Sequence, residues 1–283
     1  MAAITGIAEL EQAKGINANK AAWEEADFTE VAAYMRQSGE SLVRSLGVMP
    51  PMRVLDLGCG DGTTALPLAR TGAEVVGIDI ASNLVEAGKR RAEEAGLDRL
   101  RFQEGDACNL EGVEDDAFDL TLSMFGAIFA PNPFDVAKEM VRVTKPGGRI
   151  VMGNWIPNDP AFVVQMRGIK ESLLPPPSSG NSLGPMAWGV EEQIIERFGE
   201  AGISAEQISM VRDTYCFSSP DHGPEGLVEA FTQFYKPTFD AAQLSEQLDA
   251  FQQKLLDLAY SQNQSADGST LIPSTFLRVT VNL

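Results

Sequence analysis

A chain of 283 residues, of which 44% are hydrophobic, can bury one large core, alone or with a small appendage. Its formal net charge of −18 opposes binding to nucleic acid and to anionic lipid head groups, so neither is an expected partner. The first residues lack the pattern of a signal peptide, and no apolar run approaches the roughly 20 residues that span a bilayer. The three cysteines lie far apart without paired spacing, which predicts a cytoplasmic protein with no metal site.

The N-terminal region contains an amphipathic helix. Apolar residues recur at helical spacing from Thr29 to Leu46, and Gly47 and a proline pair then end the helix. We therefore predict that residues 1–50 form a helical cap ahead of the main domain, which covers residues 51–283.

Strand and helix patterns alternate from Met52 to about Gly153. The predicted strands are Arg53–Leu57, Glu74–Ile78, Leu100–Glu104, Phe118–Ser123 and Arg149–Asn154. The predicted helices between them are Thr64–Arg70, Leu84–Ala95 and Phe134–Thr144. The run KPGG at 145–148 is expected to end the third helix before the fifth strand begins. This alternation predicts a parallel sheet covered by helices on both faces.

The pattern becomes irregular after the fifth strand. Residues 156–189 contain several prolines and a Ser-Ser-Gly run, which predict an irregular insertion. The later predicted elements are a helix at Val190–Ala201, a strand near Ile208–Phe217, helices near Pro224–Phe234 and Ala241–Tyr260, and a final strand at Ser274–Val281. Two late strands that flank helical segments fit one sheet better than two domains. The segments near 156–189 and 218–268 are expected to form a lid.

A glycine-rich turn, VLDLGCGDG at residues 54–62, follows the first strand. Glycines allow a tight turn and a close ligand approach, and the N-terminus of the next helix favours an anionic group. The spacing is GxGxG, with Thr63 where dinucleotide-binding sites have their third glycine. Asp56 adds a carboxylate that would repel a pyrophosphate and favour an ammonium group. These features favour an ammonium-bearing ligand over a dinucleotide, with a purely structural turn as the alternative.

Two further carboxylates follow the neighbouring strands. Asp79 ends the second strand, where it can accept hydrogen bonds from ribose hydroxyls. Asp106 follows the third strand, where it could accept from an exocyclic amine while the N–H of Ala107 faces a ring nitrogen. The alternative for Asp106 is that it caps a loop. In a doubly wound sheet the ligand lies across the carboxyl ends of the strands, which predicts one site for these groups.

Residues 52 to about 155 resemble the class I S-adenosylmethionine-dependent methyltransferases, in particular the ubiquinone/menaquinone-biosynthesis group. The resemblance rests on VLDLGCGDG, VVGIDIA, FQEGDA, FDLTLSMFG and VRVTKPGGRIVMGNW, in this order. It implies an α/β, Rossmann-like sheet of seven mostly parallel strands with an antiparallel last strand, helices on both faces and helical lid insertions. It also implies S-adenosylmethionine as the cofactor.

The resemblance further implies a set of cofactor contacts. Asp56 and Gly58 would hold the methionyl end, and Gly60 would let the cofactor approach. The implied residues at the other parts of the cofactor are Asp79 and Ile80 at the ribose, Asp106 and Ala107 at the adenine, and Ser123 or Met124 near the sulfonium.

The expected methyl acceptor is a small molecule, and family analogy favours an aromatic or quinol-like compound. The candidate pocket residues are aromatic, and each could equally pack in the core: Tyr34, Phe125, Phe129 and Trp155. Trp23 and Trp188 are assigned to packing. The single histidine, His222, lies in a loop and is not expected to act as a base, so no catalytic side chain is predicted. Methyl transfer needs alignment of nucleophile, methyl carbon and sulfur, together with exclusion of water.

Two other functions are compatible with these patterns. A non-catalytic protein could keep the cofactor pocket for binding, because methyltransferases need no fixed catalytic side chain. An NAD(P)-dependent oxidoreductase could use the same general fold, although the GxGxG spacing and Asp56 disfavour it. The sequence indicates no particular oligomeric state.

Overall fold

The computed structural model describes residues 20–174, 184–240 and 245–283. Its sheet has seven strands in the order β3-β2-β1-β4-β5-β7-β6. The strands are β1 Arg53–Leu57, β2 Glu74–Asp79, β3 Leu100–Glu104, β4 Phe118–Met124, β5 Thr144–Trp155, β6 Ile208–Ser219 and β7 Thr270–Asn282. Strands β3, β2, β1, β4 and β5 pair in parallel, and β7 runs antiparallel to both β5 and β6. The Rossmann-like fold class predicted from the sequence is confirmed.

Helices surround this sheet. The described part of α1 covers residues 20–25. The other helices are α2 Thr29–Ser45, α3 Ala65–Arg70, α4 Ser82–Glu94, α5 Pro133–Val143, α6 Phe162–Leu173, α7 Glu191–Glu200, α8 Pro224–Phe239 and α9 Ser245–Gln262. In the part of the chain that the structure describes, no helix has both the length and the apolar composition needed to cross a membrane.

The central strand β1 shows why the sheet is covered on both faces. Val54 packs in one apolar core, whereas Leu55 and Leu57 pack in another, because successive side chains of a strand point to opposite faces. All three are buried. Since β2 pairs with one edge of β1 and β4 with the other, the chain changes direction beside β1, and the carboxyl ends there form the usual ligand crevice.

The start of β5 differs from the prediction. The sequence places this strand at Arg149–Asn154, whereas β5 begins at Thr144. Phe118 of β4 pairs with Thr144, but Leu120 pairs with Arg149, so the KPGG residues form an irregularity inside the strand. Residues 147 and 148 stay on the sheet because the backbone N–H of Gly147 donates to the carbonyl of Leu283, and that of Leu283 donates to Gly148.

The predicted irregular insertion at 156–189 is wrong in part, because it contains the regular helix α6. This helix starts where the Ala161 N–H donates to the Asp159 carboxylate at 3.0 Å, and it buries Phe162 and Met166 against the core. The proline and serine run at 175–180 lies outside the described residues, as does the predicted helix start at 241–244. Helix α8 continues beyond the predicted end, to Phe239.

Candidate active site

A cavity of about 320 Å³ lies at the carboxyl ends of the parallel strands. The turns after β1, β2 and β3 form a polar half that contains glycines and carboxylates. The ends of β4 and β5, together with β6 and helices α2, α6 and α8, form an aromatic half. The volume is in the range of small-molecule sites, and the position is the one expected in an open α/β sheet.

Asp79 holds the polar half together. Its Oδ2 accepts the backbone N–H of Gly60 at 2.8 Å, and its Oδ1 accepts that of Ala81 at 3.0 Å. Burial raises the pKa of this carboxyl group, while the backbone hydrogen bonds act in the opposite direction. The carboxylate therefore links the glycine turn after β1 to the start of α4.

The glycine turn needs its glycines for two different reasons. Gly58 has φ +66° and lies so close to the loop after β4 that a Cβ there would be 2.7 Å from the Cα of Gly126. Gly60 has φ +54°, lines the cavity, and would place a Cβ with no protein atom within 4 Å. Gly58 thus closes the turn against the protein, and Gly60 leaves open space beside a ligand.

Asp56 does not line the described cavity. Its side chain is buried behind the turn, where Oδ2 accepts the Thr64 hydroxyl at 2.6 Å and Oδ1 has no hydrogen-bond partner among the described residues. Burial raises the pKa of this carboxyl group to about 7. Asp56 thus lies directly behind the cavity wall, because the Thr64 hydroxyl that it accepts belongs to a lining residue, and its contact with a methionyl ammonium stays a prediction.

Asp61 is a buried cavity residue that sequence reasoning missed. It forms ion pairs with Arg36 of α2 at 3.1 Å and Arg91 of α4 at 2.9 Å. Arg91 also donates to the backbone carbonyl of Asp61 at 2.6 Å. These contacts fix the end of the glycine turn between two helices. No spacing in the sequence signals a pairing between residues so far apart.

Asp106, in the turn after β3, was predicted either to contact the ligand or to cap a loop, and its position is compatible with both roles. Its Oδ1 accepts the backbone N–H of Cys108 at 2.8 Å, so the side chain does cap a loop. Asp106 and Ala107 nevertheless line the cavity, as does Ile80 after β2. The three strand ends therefore converge on one wall, as the sequence predicts.

Ser123 and Met124 at the end of β4 are placed differently from one another. Met124 lines the cavity. Ser123 is fully buried and accepts the backbone N–H of Ala127 at 3.0 Å, which fixes the loop that contacts Gly58. Of these two alternatives for the sulfonium side of the site, the geometry leaves Met124 at the cavity wall.

Phe125 and Trp155 form the centre of the aromatic half. Their rings are stacked with centroids 3.9 Å apart and an interplanar angle of 6°. Phe125 has φ +61°, a left-handed backbone conformation that is uncommon for a bulky residue. Tyr215 of β6 contacts the Phe125 ring edge-on, at 5.1 Å between centroids.

Trp23 also belongs to the cavity wall, so its assignment to packing alone is wrong. Its ring centroid lies 5.1 Å from that of Phe129 and 5.7 Å from that of Phe234. Residues from α1, the loop after β4 and α8 meet here, and their separation in the chain hid the contact. Trp188, in contrast, is buried against Phe198, as expected.

Tyr34 does not line the cavity. It is buried on α2 where that helix meets α8, next to Gly226, and burial raises the pKa of its hydroxyl group. The prediction of Tyr34 as a pocket residue is therefore corrected to a packing role between two helices. His222 lies exposed in its loop and does not line the cavity, as expected.

Helices α6 and α8 complete the wall with residues that the sequence did not indicate. The aromatic side chains that line the cavity are Trp23, Phe28, Phe125, Phe129, Trp155, Tyr215, Phe217, Phe231, Phe234 and Tyr235. Lys170 of α6 is the one basic residue in the described lining, and its Nζ lies 4.7 Å from the ring centroid of Tyr235. The cavity thus has carboxylates at one end and a single amine among aromatic rings at the other.

Comparisons with known proteins agree with this geometry. Residues 55–152 match the family model described as a methyltransferase domain. An uncharacterized protein of Mycobacterium tuberculosis is 30% identical over 241 residues, which cover 81% of this chain and 85% of that one. A demethylmenaquinone methyltransferase of Clavibacter sepedonicus is 40% identical over 109 residues, or 38% and 43% of the two chains.

Solved structures share the fold at low sequence identity. The YcgJ protein from Bacillus subtilis superposes with a TM-score of 0.55 at 19% identity, covering 87% of this chain and 99% of that one. An S-adenosylmethionine-dependent methyltransferase from Thermotoga maritima gives 0.52 at 16% identity, with 90% and 92% covered.

The fold and the site define an S-adenosylmethionine-dependent methyltransferase of class I. The chain belongs to the same family as the Mycobacterium tuberculosis protein, and S-adenosylmethionine is its cofactor. The cavity fits that cofactor, because Gly60 leaves open space at the glycine turn and the Asp79 carboxylate lies beside it.

Proposed function

We propose that this enzyme methylates a small, largely apolar acceptor that binds in the aromatic half of the cavity. The observation that carries the proposal is the composition of that half, where stacked and edge-on rings from five different parts of the chain surround one space. Aromatic walls bind apolar and planar groups through burial and ring contacts. A small acceptor also agrees with the net charge of −18, which disfavours nucleic acid and anionic membrane surfaces.

We assign the cofactor to the polar half. Asp79 and Ile80 would hold the ribose, Asp106 and Ala107 the adenine, and the glycine turn the methionyl end. Asp79 can do so although both oxygens already accept a backbone N–H, because each carboxylate oxygen has a second lone pair. This assignment leaves the aromatic half for the acceptor.

The residues of this chain would act by orientation and by exclusion of water. When bound, S-adenosylmethionine supplies a methyl group on a sulfonium that departs as a neutral thioether. The aromatic rings of α8 and of the strand ends, together with apolar side chains of α2 and α6, enclose the space beside Met124 and would hold the acceptor in line with that methyl group. Enclosure by apolar groups also removes water that would compete for the methyl group.

The tyrosines in the described lining are poor bases at neutral pH. Burial raises the pKa of Tyr235 to about 12 and also raises the pKa of Tyr215. The Tyr215 hydroxyl is also committed to the backbone carbonyl of Met35 at 3.0 Å. We therefore propose that the acceptor either carries a free lone pair or enters the site already ionised.

Calorimetry with S-adenosylmethionine and S-adenosylhomocysteine tests whether the cofactor binds. We expect both to bind, and failure of both at millimolar concentration would contradict the proposal. The nature of the acceptor is tested by measuring release of S-adenosylhomocysteine when the enzyme is incubated with S-adenosylmethionine and each of a panel of quinols, phenols, amines, thiols and carboxylic acids. Turnover with an apolar member of this panel supports the proposal. Cofactor binding without turnover on the whole panel would instead support a non-catalytic binding protein.

A further inference from the structure

We infer that the acceptor is a lipophilic organic acid, which Lys170 binds as its anion. This inference rests on the proposed function and names the class of compound that the aromatic half would take. Lys170 lies in the second half of α6, and its ammonium group packs over the Tyr235 ring at 4.7 Å, inside the aromatic lining. It is the single cation that the described cavity wall presents to a ligand.

Lys170 has no acidic partner among the described residues. The nearest carboxylate on its own helix, Glu171, is paired with Arg167, whose Nε lies 2.6 Å from Oε1 of Glu171. Burial and the charge of Arg167 lower the pKa of Lys170, while Glu171 raises it. Lys170 is half-buried, so its ammonium group keeps part of its hydration, and an opposite charge on a ligand would replace the water that binding displaces.

The contact with Tyr235 does not account for this lysine. A cation–π contact with one ring face uses none of the three N–H donors of the ammonium group. The amine in the wall therefore indicates a partner that arrives with the ligand.

The distribution of charge in the cavity indicates which ligand this partner belongs to. The carboxylates of Asp79 and Asp106 lie in the half assigned to the cofactor, where they would accept hydrogen bonds from the ribose and the adenine. Lys170 lies in the opposite half, with α6 and α8. An anionic acceptor in the half that contains Lys170 would place its charge next to this cation and away from the carboxylates.

This class of acceptor also agrees with the lining tyrosines, which are poor bases. An organic acid that is ionised in water enters with its proton already lost, so no side chain has to remove it. The chain itself has a net charge of −18, so an anion needs a specific cation inside the cavity to bind there. Lys170 supplies that cation.

The test compares matched acids and amides on the full chain saturated with S-adenosylhomocysteine. The probes are 2-naphthoate with 2-naphthamide and octanoate with octanamide, measured by calorimetry. At least one acid is expected to bind about tenfold more tightly than its amide, the preference that a charge-assisted hydrogen bond provides. Equal binding of acid and amide in both pairs, or no binding of either acid, would overturn the inference.

Three variants test whether Lys170 causes the preference for the acid over the amide. Lys170→Met should bind acid and amide equally, and Lys170→Arg should keep part of the preference. Lys254→Met, at an exposed position on α9, should behave as the unmodified protein. A preference that persists in Lys170→Met would overturn the inference. S-adenosylhomocysteine affinity is measured for every variant, so a failure of the cofactor site is distinguished from a failure of acid recognition.

Discussion

The carboxylate of Asp79 accepts the backbone N–H of Gly60, so the end of β2 holds the glycine turn that follows β1. Because the other oxygen accepts the N–H of Ala81, the same side chain also fixes the start of α4. One carboxylate therefore fixes two walls of the polar half. Replacing Asp79 should weaken cofactor binding in two ways, by removing a direct contact with the cofactor and by releasing these two backbone segments.

Replacement of Asp79 by alanine should weaken binding of S-adenosylmethionine by about tenfold or more, equivalent to roughly 1.5–3 kcal/mol. Calorimetry on the folded variant measures this loss. Glu74→Ala, at the exposed start of the same strand, should leave the affinity unchanged. An Asp79→Ala variant that folds and binds the cofactor normally would contradict the site assignment.

Gly60→Ala separates the strain of a left-handed backbone from interference with the ligand. Gly60 and Gly96 have φ values of +54° and +64°, and a Cβ at either would meet no protein atom within 4 Å. Both alanine variants should therefore lose about 1 kcal/mol of unfolding free energy. Only Gly60→Ala should lose cofactor affinity, because Gly60 lines the cavity and Gly96 is exposed after α4. Equal cofactor affinity in the two variants would show that Gly60 does not contact the ligand.

Asp56 should make the stability of the ligand-free protein depend on pH. Burial raises the pKa of its carboxyl group from 3.8 to about 7. Between pH 3.8 and pH 7 the carboxyl group is therefore protonated in the folded state and ionised in the unfolded state. The contribution of Asp56 to stability therefore falls as pH rises from about 4 to about 7 and then stays constant, a loss on the order of 4 kcal/mol.

Asp56→Asn removes this titration while it keeps an oxygen that can accept the Thr64 hydroxyl. The variant should gain stability relative to the unmodified protein at pH 8 and show a smaller difference at pH 5. Urea unfolding at both pH values measures the two differences. The same difference at both pH values would mean that Asp56 is not the group that titrates.

The polar half was predictable because its signals are local. The glycine turn, Asp79 and Asp106 each stand directly after a strand, and parallel strands bring their carboxyl ends to one edge. The sequence could not decide between Ser123 and Met124, since adjacent residues of a strand point to opposite faces. The hydrogen bond between Asp56 and Thr64 could not be predicted, because it depends on how the glycine turn folds.

The aromatic half could not be predicted in the same way. Trp23, Phe129 and Phe234 are far apart in the chain and meet only after α1 and α8 pack over the sheet edge. Lys170 lies in a segment whose neighbouring prolines predict irregular structure, although α6 forms there. The positions of these residues depend on tertiary packing, which local sequence patterns do not indicate.

At Phe125, a glycine substitution should be less destabilising than an alanine substitution, which is the reverse of the usual order. Its backbone is left-handed at φ +61°, held there while its N–H donates to the Gly153 carbonyl at 3.0 Å and its ring stacks on Trp155. Phe125→Ala and Phe125→Gly both lose the buried ring, at a cost of about 3–5 kcal/mol. Alanine keeps the left-handed strain and glycine does not, so the glycine variant should be more stable by about 1 kcal/mol.

Urea unfolding of the Phe125 pair, beside the same two substitutions at Phe129, checks this order. Phe129 ends a short 3-10 helix and does not have a positive φ, so its alanine variant should be the more stable of its pair. Strain at a bulky residue persists only where the surrounding structure enforces it, and such sites cluster where ligands bind. If Phe125→Ala were as stable as Phe125→Gly, the backbone at this position would carry no strain, and the stacked pair would owe its place in the cavity wall to packing alone.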